Sequence, residues 1–576
     1  MDRVTTLQFE QRYRIGMIAG IFAIAFLSLV SMLFQRQVIQ YRHYSQMAEQ
    51  QHVSSKIVPA QRGKILVKDS DGELYPLGTN VTLFSLTVVP SQIKRPELVA
   101  SKLMPFLSGA GIEESGLITK LSSKSKYLPP LKRKIEEKEA QQIADLDLTG
   151  VYLTPELYRY YPETTMAAQA LGFVNRDGKG QYGVEGYLDK QLGGKAGLLE
   201  AEQDVFGQQI ALGKRQNVDP ENGLDIVLTI DRAIQYRVEK ALKEAVEKHK
   251  ADKGSVIVMD PKTGKIIAMA QYPNFNPNNY NTEVLELFNN MNASQVYEPG
   301  SVFKVITMAA GIDAGVVAPS TTYTDPGEVK ISDRTIRNSD KVSHGVQTMT
   351  QVLEKSLNTG MIFVVQKLGK TAFRKYLEQF GFLAPTGVEI AGEVAAHIKQ
   401  LRNWGDVDLA TMSFGQGIAI TPIQMLSAVG AIANDGKLMQ PHIVDKILYP
   451  SGAVSIGPDA KGQAISAQTA QLISAMMVGV VERGHGQKAG VRGYYIAGKT
   501  GTAQIPNPKT GGYIAEGVGS TIGTFVGFGP VENPKFVMIT RIDRPRDVVY
   551  AESSAAPLFG KIAKFLLDYW RIPPTR

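Results

Sequence analysis

From Ile15 to Gln35 the chain carries no charged side chain: IGMIAGIFAIAFLSLVSMLFQ. At about 1.5 Å of rise per residue, roughly twenty helical residues cross a hydrocarbon core about 30 Å thick. No other uncharged apolar run of that length occurs in the sequence. A core helix of a globular domain carries polar residues at helical period, and this run does not. A cleavable signal has a shorter apolar region ending in an Ala-x-Ala-like site, which is missing after Ser31. The segment is therefore expected to be an uncleaved transmembrane signal anchor. Arg3, Arg12 and Arg14 precede it and Arg36 and Arg42 follow it, so the positive-inside asymmetry is weak. The short leading stretch and the chemistry described below orient it. Residues 1–14 are expected in the cytoplasm and everything after residue 36 outside.

The 576 residues exceed the usual size of one domain and predict two or more folded units. A formal net charge of +8 favours anionic neighbours such as phospholipid headgroups or acidic wall polymers. Nucleic acid would also suit that charge, but there is no zinc-finger spacing, long basic run or RNP-like aromatic stripe, so no nucleic-acid partner is expected. The absence of cysteine excludes disulfides, thiolate metal sites and a cysteine nucleophile. The seven histidines are scattered and form no His-Glu-x-x-His, so neither a metal nor another cofactor is expected.

Residues 36–50 read as a helical stalk. Residues 51–225 read as mixed strands, turns and short helices, broken at Asp71-Gly72, Pro129-Pro130 and Gly193-Gly194. Leu224 to Ile230 is strand-like and leads into a helical stretch from Asp231 to Lys250. GSVIVMD, the turn PKTG and KIIAMA then predict a hairpin. The expected organisation is a cytoplasmic tail over 1–14, a membrane anchor over 15–35, a stalk and a first exported domain over 36–225, and a second domain over 226–576.

Three short elements in the second domain carry chemistry. In Glu298-Pro299-Gly300-Ser301-Val302-Phe303-Lys304, Pro-Gly before an apolar, alanine-rich run reads as a helix start. Positions i and i+3 share a helical face, so Ser301 and Lys304 are expected side by side. A serine hydroxyl becomes a nucleophile when a neighbour takes its proton, and a lysine whose pKa is lowered by burial or a nearby cation can do so. Other Ser-x-x-Lys copies, Ser91 to Lys94 and Ser123 to Lys126, lack an apolar helix behind them and read as surface. The second element is Ser356-Leu357-Asn358, in VLEKSLNTGMIFVV, expected as one helix. Its hydroxyl is placed to relay a proton between Lys304 and a leaving amine, and its amide to hold a peptide group. The third is Lys499-Thr500-Gly501-Thr502, after the strand-like GYYIAG. Lys-Thr-Gly also occurs at Lys262 and at Lys509, in a hairpin turn and in a loop after Pro508. Gly501 removes a side chain where a ligand backbone can approach, and Lys499 with Thr500 and Thr502 suits a carboxylate. No Gly-x-Ser-x-Gly elbow occurs.

With these elements in this order the chain resembles the class B penicillin-binding proteins, in particular the FtsI-type cell-division transpeptidases. Arg159-Tyr160-Tyr161-Pro162 and GFVNRDGKGQYGVEGYLDKQLGGKAG are similar to the family's pedestal (dimerisation-type) domain. LTIDRAIQ, AMAQYPNFNPNNY, FGQGIAITPIQ, GKTGTAQ and TFVGFGP are similar to its catalytic domain. Two departures stand out: Asp69-Ser70-Asp71-Gly72 where the family often has Asp-Arg-Asn-Gly, and Val302 where threonine is frequent.

The resemblance implies an α+β chain: a transmembrane helix, an elongated pedestal, and a transpeptidase domain built on a five-stranded antiparallel sheet flanked by helices. It implies that Ser301 attacks the carbonyl between the last two D-alanines of a peptidoglycan stem peptide while Lys304 accepts the proton. The oxyanion would lie between the backbone N–H groups of Ser301 and Thr502. Ser356 and Lys499 would return a proton to the departing D-alanine, Asn358 would hold the acyl-side amide, and Thr500, Gly501 and Thr502 would bind the terminal carboxylate. The acyl-enzyme would then pass to an amine of a second stem peptide, and β-lactams would stall it. No segment reads as a polymerising glycosyltransferase. A SEDS-type glycosyltransferase and other divisome membrane proteins are therefore the implied partners, at the outer face of a bacterial inner membrane. A β-lactamase would need a base for water. Glu354 to Asn358 spells its Glu-x-x-Leu-Asn pattern but overlaps the Ser-x-Asn element, and is expected to be a decoy. A catalytically idle scaffold is disfavoured by the complete set of side chains.

Overall fold

The structure is a computed structural model and describes residues 3–108, 111–202, 215–507 and 512–576. The chain forms two units, residues 1–60 with 194–222, and residues 61–193 with 223–576.

The first unit opens with helix α1, Arg3–Phe34, which continues through a single π-turn, Gln35–Ile39, to a second helix, Tyr41–His52. The stretch Arg12–Ile39 is long and apolar enough to cross a membrane. Its apolar side chains face outward all round, with Phe22 71% and Ile24 67% exposed. In water such exposure would cost about 25 cal/mol per Å², so this surface needs an apolar surrounding. The unit closes with a three-stranded antiparallel sheet of Val53–Val58, Gly197–Glu202 and Arg215–Val218.

The second unit is built on a five-stranded antiparallel sheet. Its strands are β1, Lys253–Met259, β2, Ile266–Tyr272, β3, Ala497–Gln504, β4, Thr521–Gly529, and β5, Phe536–Asp543, in the order β2-β1-β5-β4-β3. β1 and β2 form the expected hairpin, and Asp260 accepts from Lys262 N and Thr263 Oγ1 in its turn. Both sheet faces are covered. On one, α2, Arg232–Lys248, and α8, Ala555–Tyr569, pack Val238, Leu242 and Phe559 against Val256, Val258 and Phe525. On the other lie α3, Lys304–Asp313, α6, Pro422–Ala433, and α7, Ala467–Arg483, over Ile257, Val526 and Ile539. A strand covered on both faces loses the alternating pattern, which is why all of β4 is buried. The helix α2 begins where Asp231 accepts from Ile234 N, 2.9 Å, a capping contact that ends the preceding strand. Between α3 and α7 lie α4, Met349–Glu354, and α5, Asn358–Leu368. Two short hairpins precede them, Thr322–Asp325 with Gly345–Thr348 and Glu328–Ile331 with Arg334–Arg337.

A seven-stranded sheet joins distant stretches of the same unit. Ile65–Lys68 pairs antiparallel with Leu74–Val88 and parallel with Asp225–Asp231, which in turn pairs with Val444–Tyr449. Beside it lies a buried ionic cluster. Glu185, fully buried, accepts from Arg62 Nε and Arg159 Nε at 2.7 Å each and from Tyr161 Oη at 3.2 Å.

Candidate active site

The three sequence elements come together in the second unit. Gly300–Phe303 forms a 3₁₀ turn that runs directly into α3. Side chains three apart eclipse in such a turn, so Ser301 and Lys304 share a face as expected. Gly300 has φ +58°, and its N–H donates to Gly415 O at 3.0 Å. A Cβ on Gly415, itself at φ +83°, would lie 2.2 Å from Gly300 O, so no side chain fits where the two segments cross.

The expected single helix over VLEKSLNTGMIFVV is broken. α4 ends at Glu354, Ser356 sits at φ +57°, and α5 restarts at Asn358. A left-handed non-glycine residue costs about 1–3 kcal/mol and persists when its surroundings hold it. Here they do. Ser356 O accepts from Lys304 Nζ at 2.5 Å. Asn358 Nδ2 donates to Arg337 O at 2.8 Å. Thr359 Oγ1 donates to the buried Asp325 carboxylate at 2.6 Å, and Thr359 N donates to Asn338 Oδ1 at 3.3 Å. Nothing in the sequence marked Asp325 and Asn338 as the anchors of this bend.

Lys499 and its neighbours lie on β3, the sheet edge, where outward backbone groups remain open to an added strand. Gly501 also has a reason within the fold. A Cβ there would meet Pro299 O and Val302 Cγ1 at 2.9 Å, so the glycine admits the molecule's own Ser301 turn. Thr502 Oγ1 accepts from Ala551 N at 3.0 Å. Thr500 is buried and Ser301, Ser356 and Thr502 are half-buried.

The Ser356 hydroxyl lies between two fully buried lysines, 3.2 Å from Lys304 Nζ and 3.0 Å from Lys499 Nζ. Lys499 also donates to Thr500 O at 3.1 Å. Burial lowers the pKa of Lys499 to about 7. Burial, reinforced by the Lys499 charge and opposed by Asp340, drops Lys304 well below the usual lysine range. Two ammonium groups on one hydroxyl repel, so the pair readily gives up a proton near neutrality. The arrangement can therefore accept a proton at Lys304 and pass one along Ser356.

Other copies of the motifs lie elsewhere. Ser91 and Lys94 are exposed, Lys262-Thr263-Gly264 makes the β1–β2 turn, and Lys509-Thr510-Gly511 lies outside the described residues. Glu354 is bound to Arg483 of α7, Nε at 3.1 Å, which occupies the carboxylate of the lactamase-like pattern. Behind the nucleophile turn, the Arg541 guanidinium lies 4.4 Å from the Tyr297 ring centre and pairs with Asp543. Glu298 accepts from Gly417 N at 2.9 Å and from Tyr513 Oη at 2.8 Å. No spacing signal in the sequence pointed to these supports.

Residues 254–564 match the penicillin-binding protein transpeptidase domain, and residues 57–228 the penicillin-binding protein dimerisation domain. The chain belongs to the class B penicillin-binding proteins. It is a peptidoglycan D,D-transpeptidase, an acyltransferase of the serine type. Stage V sporulation protein D of Bacillus subtilis is 32% identical, over 100% of this chain and 88% of its own length. The peptidoglycan D,D-transpeptidase FtsI of Escherichia coli is 28% identical, over 98% of this chain and 92% of its own. The crystal structure of penicillin-binding protein 3 from Mycobacterium tuberculosis, complexed with aztreonam, superposes with a TM-score of 0.69 at 27% identity, covering 90% of this chain and 98% of that one. This transpeptidase thus carries both a dimerisation domain and a transpeptidase domain.

Proposed function

We propose that Ser301 of this transpeptidase forms the acyl-enzyme in peptidoglycan cross-linking, with Lys304 as the base that activates it. The observation that carries the reading is the Ser356 hydroxyl held between two buried lysines, beside the turn that presents Ser301. Ser301 Oγ attacks the carbonyl between the two terminal D-alanines and its proton goes to Lys304. The oxyanion develops between Ser301 N and Thr502 N, where one such donor contributes about 10²–10³ in rate. Lys499 and Ser356 deliver a proton to the leaving D-alanine. The donor peptide lies along the open edge of β3, with Asn358 on its acyl side and Thr500 and Thr502 on its carboxylate. An amine of a second stem peptide then takes the acyl group.

The stalk and pedestal extend over 36–225 and the transpeptidase domain over 226–576. The run 15–35 anchors the chain in the inner membrane, with both domains on the periplasmic side. Its length and outward apolar surface support the anchor. Likeness to FtsI supports a septal role; the partners proposed there, a SEDS-type glycosyltransferase and other divisome membrane proteins, are those the family resemblance implies.

Mass spectrometry of the protein treated with benzylpenicillin tests the site. The adduct is expected on the peptide carrying Ser301, and an adduct on any other peptide removes the assignment. The rate of acylation is expected to rise with pH through about 7 and level off above, because the lysine pair must lose a proton before it can accept one. Acylation rate constants measured from about pH 5 to about 9 check this, and a flat profile would take the pair out of the proton path.

A further inference from the structure

The loop 338–344, which carries the acidic Asp340, lies beside the bend that bears Ser356 and Asn358. It follows the strand Arg334–Arg337, whose last carbonyl binds Asn358 Nδ2. Asn338 pins the start of the loop, donating to both oxygens of buried Asp325, at 3.0 and 2.9 Å, and accepting from Thr359 N. His344 N, at the other end, donates to the same Asp325 carboxylate at 3.0 Å. The loop is thus tied at both ends to the carboxylate that holds the bend after Ser356. Within it Asp340 accepts from Val342 N at 3.1 Å and His344 Nε2 lies 2.7 Å from its other oxygen. The Asp340 side chain remains 47% exposed. The neighbouring cations are otherwise engaged: Arg337 pairs with Glu328, and Lys341 Nζ lies 3.6 Å from Glu516. Asp340 is also the carboxylate whose field reaches Lys304.

If Asn358 marks the acyl side of the donor peptide, as proposed above, the donor continues from there towards this loop. The residue before the two D-alanines of a stem peptide is a diamino acid, and its side-chain amine is an ammonium at neutral pH. We propose that Asp340, steadied by His344, makes the site selective for donors with a cationic group on the acyl side, such as this ammonium. This rests on the reading of Ser301 and Asn358 given above. A carboxylate that only shaped the turn would need no net charge, since the Val342 N contact works equally well with an amide.

Two penicillins with the same side-chain skeleton separate these roles. Ampicillin carries an ammonium on the carbon next to its acyl carbonyl, and benzylpenicillin does not. Asp340→Asn keeps an oxygen for Val342 N and removes the charge. In the full-length protein the ratio of ampicillin to benzylpenicillin acylation rate constants is expected to fall about two- to fivefold in the variant, the range of a partly exposed ion pair. Asp340→Lys should push the ratio further in the same direction. An unchanged ratio, whether both rates stay the same or both fall together, overturns the proposal and leaves Asp340 as a turn residue. A parent protein that neither penicillin acylates would instead remove the Ser301 reading, and this proposal with it.

Discussion

Ser301→Ala is expected to take up no labelled penicillin, and Lys304→Met to acylate about 10²–10⁴-fold more slowly than the parent. Alanine removes the hydroxyl assigned as the nucleophile. Methionine fills nearly the volume of the lysine stem but cannot accept a proton. It also removes the donor to Ser356 O that helps hold the left-handed bend. The fall should appear in the acylation rate constant while folding survives. Lys304 titrates lower in the folded chain than in the unfolded one, so between those two pKa values the unfolded chain binds the extra proton. At neutral pH the lysine therefore opposes folding, and the opposition fades as pH rises towards the ordinary lysine pKa. Lys304→Met should match or exceed the parent in stability at pH 7, the trade expected where a strained, charged site serves activity. Stopped-flow acylation and denaturant unfolding on the same samples give both readouts. An active variant would assign the base elsewhere. A variant both unfolded and inactive would make Lys304 structural.

Glu185→Ala is expected to destabilise the second unit by about 3–5 kcal/mol. Glu185 is fully buried, while Arg62 and Arg159 are 8% and 3% exposed at their side chains. Removing the acid leaves two buried guanidinium groups facing each other. Arg62 keeps Asp189 at 2.7 Å and Arg159 keeps Gly63 O at 2.7 Å, which compensates only in part. Glu185→Gln retains the shape and one acceptor and should cost less than alanine. Urea unfolding midpoints would rank the three proteins. A loss below about 1 kcal/mol for alanine would mean that the arginines reach water by a small local opening.

Much of this architecture was readable in advance where a pattern is local. The uncharged run at Ile15, the strand and helix on either side of Asp231, and the hairpin turning at Asp260-Pro261 each depend on residues a few positions apart. The helix assigned across Ser356 failed for the opposite reason. Its apolar spacing is helical, but Asp325, Asn338 and Lys304 pull the chain into a left-handed bend, and they lie 31, 18 and 52 positions away. Gly501 was marked as a close approach, and the Ser301 turn is one partner that needs it.

The sequence by itself determined the apolar span, the order of the catalytic elements and the residue types available for acyl transfer. Tertiary structure alone decided that the chain breaks from helix at Ser356, how far burial lowers the two lysines, and that the loop carrying Asp340 lies beside Asn358. Those outcomes depend on burial and on charges acting through space. Both arise only when Lys304, Ser356 and Lys499, far apart in the chain, exclude water from one another.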